Sequence, residues 1–544
     1  MAKPLTYQPL PDYGVNGLNT QSNPSTLDHT WLTKAENIVL RESGRISFRK
    51  GLKQKVVPTG TAIGSMVEHN DQGTNKIFAS YGTSIYTIDF TSPNAAFPAS
   101  GADVKHTVAN SSGNWQFVNF NDRLHCFHAG VVPQRYDGSL GSGVKWIAHA
   151  TDPASIVTLF DPSCGMGYYG RIWCGGVAEA KDVVYYSNLL DGDDWTGGDT
   201  GLIDLSKVWD NDEVVALAAF YGKLIIFGKE NIVIYSSPET VGSLSVDEVI
   251  KGIGCVSRDS VQAIGDDLVF LSATGLRSLA RTTEKENLPL TDLSVNIKDT
   301  LIRNIGNSTN VKSAYIENEG VYLMSFVDNN INYVFDFKHY TPSEVPRVTT
   351  WTFAEDREPA SLIHTELYSG LLVGQKDGSI AGYEGYFDVD LSWDSGAVYT
   401  EAAYTSDISS VWIDLGQSVM ASLLKRFFIV LEGGSGSILN LRWFKDFSES
   451  SSTSSISLRP DTSGTVSLWG ASTSLYGATT ATHTHVAATH PENSLYAPIY
   501  GLKEYRTPLT GSAKNLKLNM TIQSNGYDAA IQELTLLHKE GKIR

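Results

Sequence analysis

Between residues 60 and 390 the chain repeats one unit: a short β-rich run, a tight polar or glycine turn, and a second β-rich run. Examples are Phe117 to Phe120 with Leu124 to Phe127 around Asn121 and Asp122, and Val214 to Phe220 with Leu224 to Phe227 around Gly222. Turns at positions 82, 122, 170, 222, 265, 320 and 370 are separated by 40, 48, 52, 43, 55 and 50 residues. One hairpin cannot bury its own apolar face, so a hairpin repeat of this period predicts blades that cover one another in a closed ring. The expected fold is all-β: a β-propeller of six or seven blades. A pair of β-sandwiches, which also spaces short strands with turns, is the alternative.

Composition agrees with a β-rich chain. There are 544 residues, 41 % of them hydrophobic, which excludes a disordered polymer, and 49 Gly against 6 Met favours many turns and few long helices. The best helix candidate is Leu293 to Ile305, with Asp292 as its N-cap. From about residue 391 the pattern changes to longer strands: Phe427 to Leu431, Leu439 to Phe447, Leu516 to Gln523 and Ile531 to Leu537. The last two are expected to form a hairpin around Asn525-Gly526. The serine run Ser448 to Ser455 is read as a mobile loop. The domains are therefore an N-terminal arm (1–55) that packs on the platform or closes a blade, a propeller (56–390), and a β-sandwich-like platform (391–544).

No catalytic, cofactor-binding or metal residues are assigned. The stretch Gly138 to Lys145 lacks the Gly-Lys-Ser/Thr ending of a phosphate loop, and neither Gly-x-Ser-x-Gly nor His-Glu-x-x-His occurs. Asp191-Gly192-Asp193-Asp194-Trp195 starts like a calcium loop, but position five is Trp and position twelve is Leu202. Ser392 to Tyr399 nearly matches an Asp-box turn of sialidase-type propellers, once and without its closing Thr-Trp. His483, His485 and His490 have metal-like spacing in a Thr- and Ala-rich stretch with no acidic or Cys ligand before Glu492, and whether they bind a metal stays open. Tryptophans such as Trp115, Trp173, Trp195, Trp351 and Trp443 are read as packing groups before sugar platforms. Cys126, Cys164, Cys174 and Cys255 lack a C-x-x-C spacing and are expected as buried thiols.

Charge is unevenly placed. The net −17 divides into +4 over residues 1–55, −20 over 56–390 and −1 over 391–544. An acidic middle is a poor tight ligand for phosphate, because such affinity comes from Lys and Arg displacing counterions. No stretch reads as a signal peptide or a membrane span.

Several phrases resemble the tail tube nozzle proteins of short-tailed bacteriophages, the tail tubular protein B family. They include Asn114 to Leu124 followed by Pro133 to Gly138, Gly170 to Trp173 followed by Val184 to Ser187 and Asp194 to Gly197, Asp212 to Leu217 with Lys223 to Phe227, and Leu268 to Leu271 with Gly275 to Ser278. Asn37 to Gly44 with Arg49-Lys50-Gly51, Lys425 to Gly433 and Lys539 to Arg544 are similar at the two ends. The resemblance implies a non-enzymatic virion protein without cofactors: a ring, typically of six copies, that docks on the head-to-tail adaptor and carries fibres or spikes. It would assemble in the host cytoplasm and conduct double-stranded DNA during ejection. A glycan-binding or glycan-cleaving propeller and a protein-binding scaffold are the other two readings.

Overall fold

The computed structural model describes residues 5–41, 45–56, 60–88, 105–140, 145–156, 158–280, 292–306, 310–389, 401–416, 421–434, 436–458 and 502–540. The chain forms two compact units, one built on Lys53–Tyr383 and one on Met1–Leu52 with Glu384–Asp390 and Tyr399–Arg544.

The first unit is a β-propeller. Seven small antiparallel sheets follow in chain order over residues 63–107, 116–148, 164–204, 214–251, 262–278, 311–351 and 359–383. Six have four strands; the fifth has three among the described residues. The seventh gains its fourth strand from Leu52–Val56. The ring closes where Pro359–Thr365 of the seventh packs on Ile63–Asp71 of the first. Shared apolar clusters join neighbouring sheets. Phe78, Trp115 and Tyr136 pack between the first and second, Trp173, Trp209 and Ile226 between the third and fourth, and Ile63, Ile77 and Leu372 between the seventh and first. That side-to-side burial is what no blade can achieve alone.

The turn period has a local cause. In the second, third and fourth sheets the first hairpin turns through Asn121-Asp122, Tyr169-Gly170 and Tyr221-Gly222, with both residues of each pair at positive φ. This left-handed pair matches the right-handed twist of the strands it joins. In the first sheet the equivalent turn is Gln72-Gly73, between Ile63–Asp71 and Thr74–Tyr81. The turn at Gly82 belongs to that sheet's second hairpin. The first spacing is thus 49 residues and not 40.

The second unit holds two sheets whose strands alternate buried and exposed residues. One contains Leu5–Pro9, Ile38–Leu40, Ile46–Phe48, Ser422–Gly433, Leu502–Pro508 and Ala529–Lys539. The other includes Trp31–Glu36, Thr405–Ser410, Ile438–Lys445, Ser451–Ser457 and Asn515–Gln523. Arg49 is fully buried between segments distant in sequence. Its guanidinium donates to Asn37 Oδ1 (2.9 Å), to the Lys50 carbonyl (2.8 Å) and to both Asp388 oxygens (3.0 and 2.6 Å), and it lies 4.1 Å over the Tyr404 ring. Two residues on, a side chain at Gly51 would collide with the Phe387 backbone.

Three expectations need correction. Ser451–Ser457 is a strand paired along Ile438–Lys445, not a mobile loop. Its serines alternate outward, Ile456 is buried, and Ser454 and Ser455 bond Thr507 and Asn440 (2.6 and 2.7 Å). An edge strand with one solvated face needs little apolar content. Asn515–Gln523 and Ala529–Lys539 do not pair; they lie in different sheets, and Asn525-Gly526 carries the chain from one to the other. The helix is shorter than expected: a 3₁₀ turn at Val295–Ile297 precedes Lys298–Ile305, and Asp292 accepts bonds from the Ser294 amide and hydroxyl (2.8 and 2.6 Å) instead of capping it. All four cysteines are free and buried.

Candidate functional site

The densest titratable cluster lies between the second and third blades. His125 sits in the strand Arg123–His128, His149 follows Trp146–Ala148, and Asp193 comes from the loop after Ala180–Tyr186. Gly192 lets that loop approach, since a Cβ there would lie 2.7 Å from the His125 ring. His125 Nδ1 and His149 Nε2 are 3.1 Å apart. Asp193 Oδ1 is 3.4 Å from His149 Nε2 and 3.8 Å from His125 Nδ1. Its other oxygen pairs with Arg135 and, at 3.5 Å, with Arg123.

The spacing resembles a metal site, since tetrahedral zinc with bonds of about 2.1 Å sets its ligand atoms roughly 3.4 Å apart. Among the described residues this is the one such group of His, Cys, Asp and Glu. The hydrogen bonding opposes it. The Trp195 indole N–H donates to His149 Nδ1 at 3.0 Å, so that nitrogen carries no proton. Neutral His149 must then hold its proton on Nε2, the atom a metal would need, and donate it to His125 Nδ1. A metal-bound histidine instead donates its other ring N–H to an acceptor. Burial, reinforced by Arg135 and Arg123, lowers the His125 pKa to about 3. Burial, with His125 and Arg135 nearby, lowers that of His149 well below the ordinary histidine range. Two neutral imidazoles, an indole and an Arg-paired carboxylate make a polar strut between blades.

The same loop explains the calcium-like motif. Asp191 accepts the Asp193 amide (3.1 Å), and Asp194 accepts the amides of Thr196 and Gly197 (3.0 and 2.8 Å). The latter bonds, that from Thr196 first, lower the Asp194 pKa. Leu202, at the closing position, is an exposed apolar strand residue. These are turn-forming aspartates.

A second polar cluster spans the ring. Arg258, before the fifth blade, donates to the carbonyls of Ser163 and Asn114 and to Asn114 Oδ1 (3.0 Å). Lys312, on the first strand of the sixth, bonds Asn114 Oδ1 and Asp259 Oδ2, both at 2.6 Å. Ser163 and Asn114 precede the third and second blades. Contacts between non-neighbouring blades are made across the ring, so Arg258 and Lys312 meet Asn114 and Ser163 near the propeller axis. Burial pushes Asp259 up, but Arg258 and Lys312 outweigh it and hold its carboxyl below the usual range.

Neither cluster was visible as a motif, because Asp193 comes from a different repeat than His125 and His149, which are themselves 24 residues apart, and Asn114, Arg258 and Lys312 come from three repeats. His483, His485 and His490 and the Asp-box-like Ser392 to Tyr399 lie outside the described residues. Trp115, Trp173, Trp195, Trp209, Trp351 and Trp443 are buried, as packing groups would be.

No family model matches the chain, and no curated protein matches it. Among solved structures it is similar to the WD40 domain of Pan2 from Neurospora crassa, at 8 % identity over 62 % of this chain and 96 % of that one, with a TM-score of 0.37. It is also similar to the extracellular domain of a one-component system protein from B. thetaiotaomicron, at 10 % identity over 81 % and 60 % of the two chains, with a TM-score of 0.41.

Proposed function

We propose that this protein is a structural subunit of a short-tailed phage tail nozzle, forming a ring that docks on the adaptor and passes DNA during ejection. The observation that carries this reading is where the resembling phrases fall. Asn114 to Leu124, Gly170 to Trp173, Lys223 to Phe227 and Leu268 to Leu271 occupy hairpins of four successive blades, the second to the fifth.

Charge supports it. Residues 53–383 carry 24 Lys and Arg against 39 Asp and Glu, net −15, while the rest of the chain is nearly neutral. A surface of that sign repels phosphate, so DNA moving past it is not held. With Arg258 and Lys312 reaching across the propeller ring, the conduit would be a channel enclosed by several copies. The burial of six tryptophans takes away sugar-stacking surfaces on which a glycan-binding reading would lean. Electron microscopy of the purified chain, alone and mixed with a phage adaptor ring, tests the proposal. Rings stacked on the adaptor are expected; a stable monomer that never joins the adaptor overturns it.

A further inference from the structure

Two exposed faces, one on each unit, are apolar in the middle and opposite in charge. The first is formed by the hairpin tips of the propeller. Tyr221 and Leu190 are 69 % and 63 % exposed, and Tyr169 is nearly half exposed. They are contiguous: the Asn121 side-chain amide of the second blade donates to the Leu190 carbonyl (3.0 Å), and the Leu190 amide donates to the Gly170 carbonyl (2.7 Å). Gly222 lies against the Tyr169 hydroxyl, and the Tyr221 hydroxyl reaches the Asp266 carbonyl of the fifth blade (3.4 Å). Exposed carboxylates of Asp122, Asp191, Glu239 and Asp266 surround them. The nearby cations are already paired, Lys223 with Asp247 and Arg123 with Asp137.

Tyr169 and Tyr221 stand at φ 45° and 46°. That conformation is strained for a bulky side chain and is normally filled by Asn, Asp or Gly. Each ring packs one side on its neighbour, Tyr169 on Tyr168 and Tyr221 on Phe220 (centroids 4.4 Å apart in both), and leaves the rest to solvent in a strained turn, which points to a contact that the exposed surface serves.

The second face is the outward side of the sheet containing Ser422–Gly433. Register places Leu5, Lys539 and Leu423 in one row, Tyr7, Leu537, Arg426 and Pro508 in the next, and Thr535, Phe428 and Arg506 in a third. Leu5, Tyr7 and Leu423 are exposed, the Tyr7 ring is 6.3 Å from that of Phe428, and Arg426 and Arg506 are exposed. These three rows contain three cations and no carboxylate; the next row on this face, Val430 with Glu504 and Glu533, is acidic and exposed, so the basic patch is confined to the end of the sheet around Leu5, Tyr7 and Leu423.

We propose that the acidic, tyrosine-tipped face of one copy docks on this basic sheet face of a second copy. Arginines over the tyrosine rings would add cation–π attraction to the charge match. A contact between unlike faces propagates from copy to copy and closes into a ring when the rotation allows. The proposal deepens the ring reading above by naming its surfaces, and it rests on that reading only for closure.

Sedimentation velocity on the full chain over a range of concentration and salt tests it. Wild-type protein should self-associate, more weakly at high salt. Arg426→Glu with Arg506→Glu, or Glu239→Lys with Asp266→Lys, should weaken association roughly tenfold or more with unchanged melting. Mixing the two variants, or combining all four changes in one chain, should restore it. A wild-type monomer at every concentration, variants that assemble like wild type, or failure of restoration overturns the proposal. Assembly through these faces without adaptor binding would sink the tail reading alone. Adaptor binding by wild type together with charge-reversed variants that still self-associate like wild type would sink this interface alone.

Discussion

Replacing Arg49 with methionine keeps much of its aliphatic volume and removes the guanidinium. At least four hydrogen bonds disappear, two of them to one buried carboxylate, together with the contact over Tyr404. Breaking a buried ion pair by deleting one partner costs about 3–5 kcal/mol, mostly because the remaining charge is stranded. The Asp388 side chain is 12 % exposed and still accepts the Leu52 amide (3.1 Å), so water and that bond relieve part of the penalty. The expected loss for Arg49→Met is therefore about 3 kcal/mol, a fall in Tm of roughly 6–12 °C for a unit of this size. Adding Asp388→Asn to Arg49→Met removes the stranded charge and should recover about 1 kcal/mol or more. Calorimetric melting of the four proteins in the cycle measures this. A loss under about 1 kcal/mol for Arg49→Met, or a double variant worse than the sum of the singles, would refute the view that this pair ties the segments of the second unit together.

Other outcomes follow from the same structure. Trp195→Phe should cost about 1–3 kcal/mol by leaving the buried His149 Nδ1 without its donor, read by denaturant unfolding; an unchanged midpoint would contradict the strut. EDTA should leave melting unchanged, and a marked fall would restore a metal reading of the histidines. His125 and His149 have depressed pKa values when folded, so their neutral forms contribute fully above pH about 6.5. As pH falls below that value the unfolded chain takes up protons that the folded chain refuses, and stability should drop by up to about 1.4 kcal/mol per pH unit for each histidine. Equal pH slopes in wild type and His149→Gln would show that no such cost exists. Tyr221→Asn should raise stability by about 0.5–1 kcal/mol by relieving the left-handed tyrosine while weakening self-association; a destabilised variant would refute the strain. Deleting Ser451–Ser457 removes an edge strand and should lower Tm by several degrees, which a melt in circular dichroism would register.

The hairpin repeat was legible because its turns are chemically explicit: Asn121-Asp122, Tyr169-Gly170 and Tyr221-Gly222 interrupt runs of apolar β-formers. The first blade was misregistered because the strands around Gln72-Gly73, with Glu68, His69, Asn70, Asn75 and Lys76, are too polar at their ends to stand out. Serine run and edge strand look alike in composition; only pairing with Ile438–Lys445 distinguishes them. Asn525-Gly526 signals a turn correctly, but a turn does not say whether the strands it joins meet in one sheet. The polar clusters were out of reach because strand pairing and ring closure, not sequence proximity, bring Asp193 to His149 and Arg258 to Asn114.

In the nozzle proposed above, the propeller is a wall element and the DNA path runs between copies. A cryo-electron microscopy map of the purified chain assembled on an adaptor ring tests this most directly. A ring whose open channel is enclosed by several subunits is expected, with Arg258 and Lys312 crossing each propeller near its axis. A chain that stays monomeric beside the adaptor, or a map with an open bore through each propeller, would contradict it.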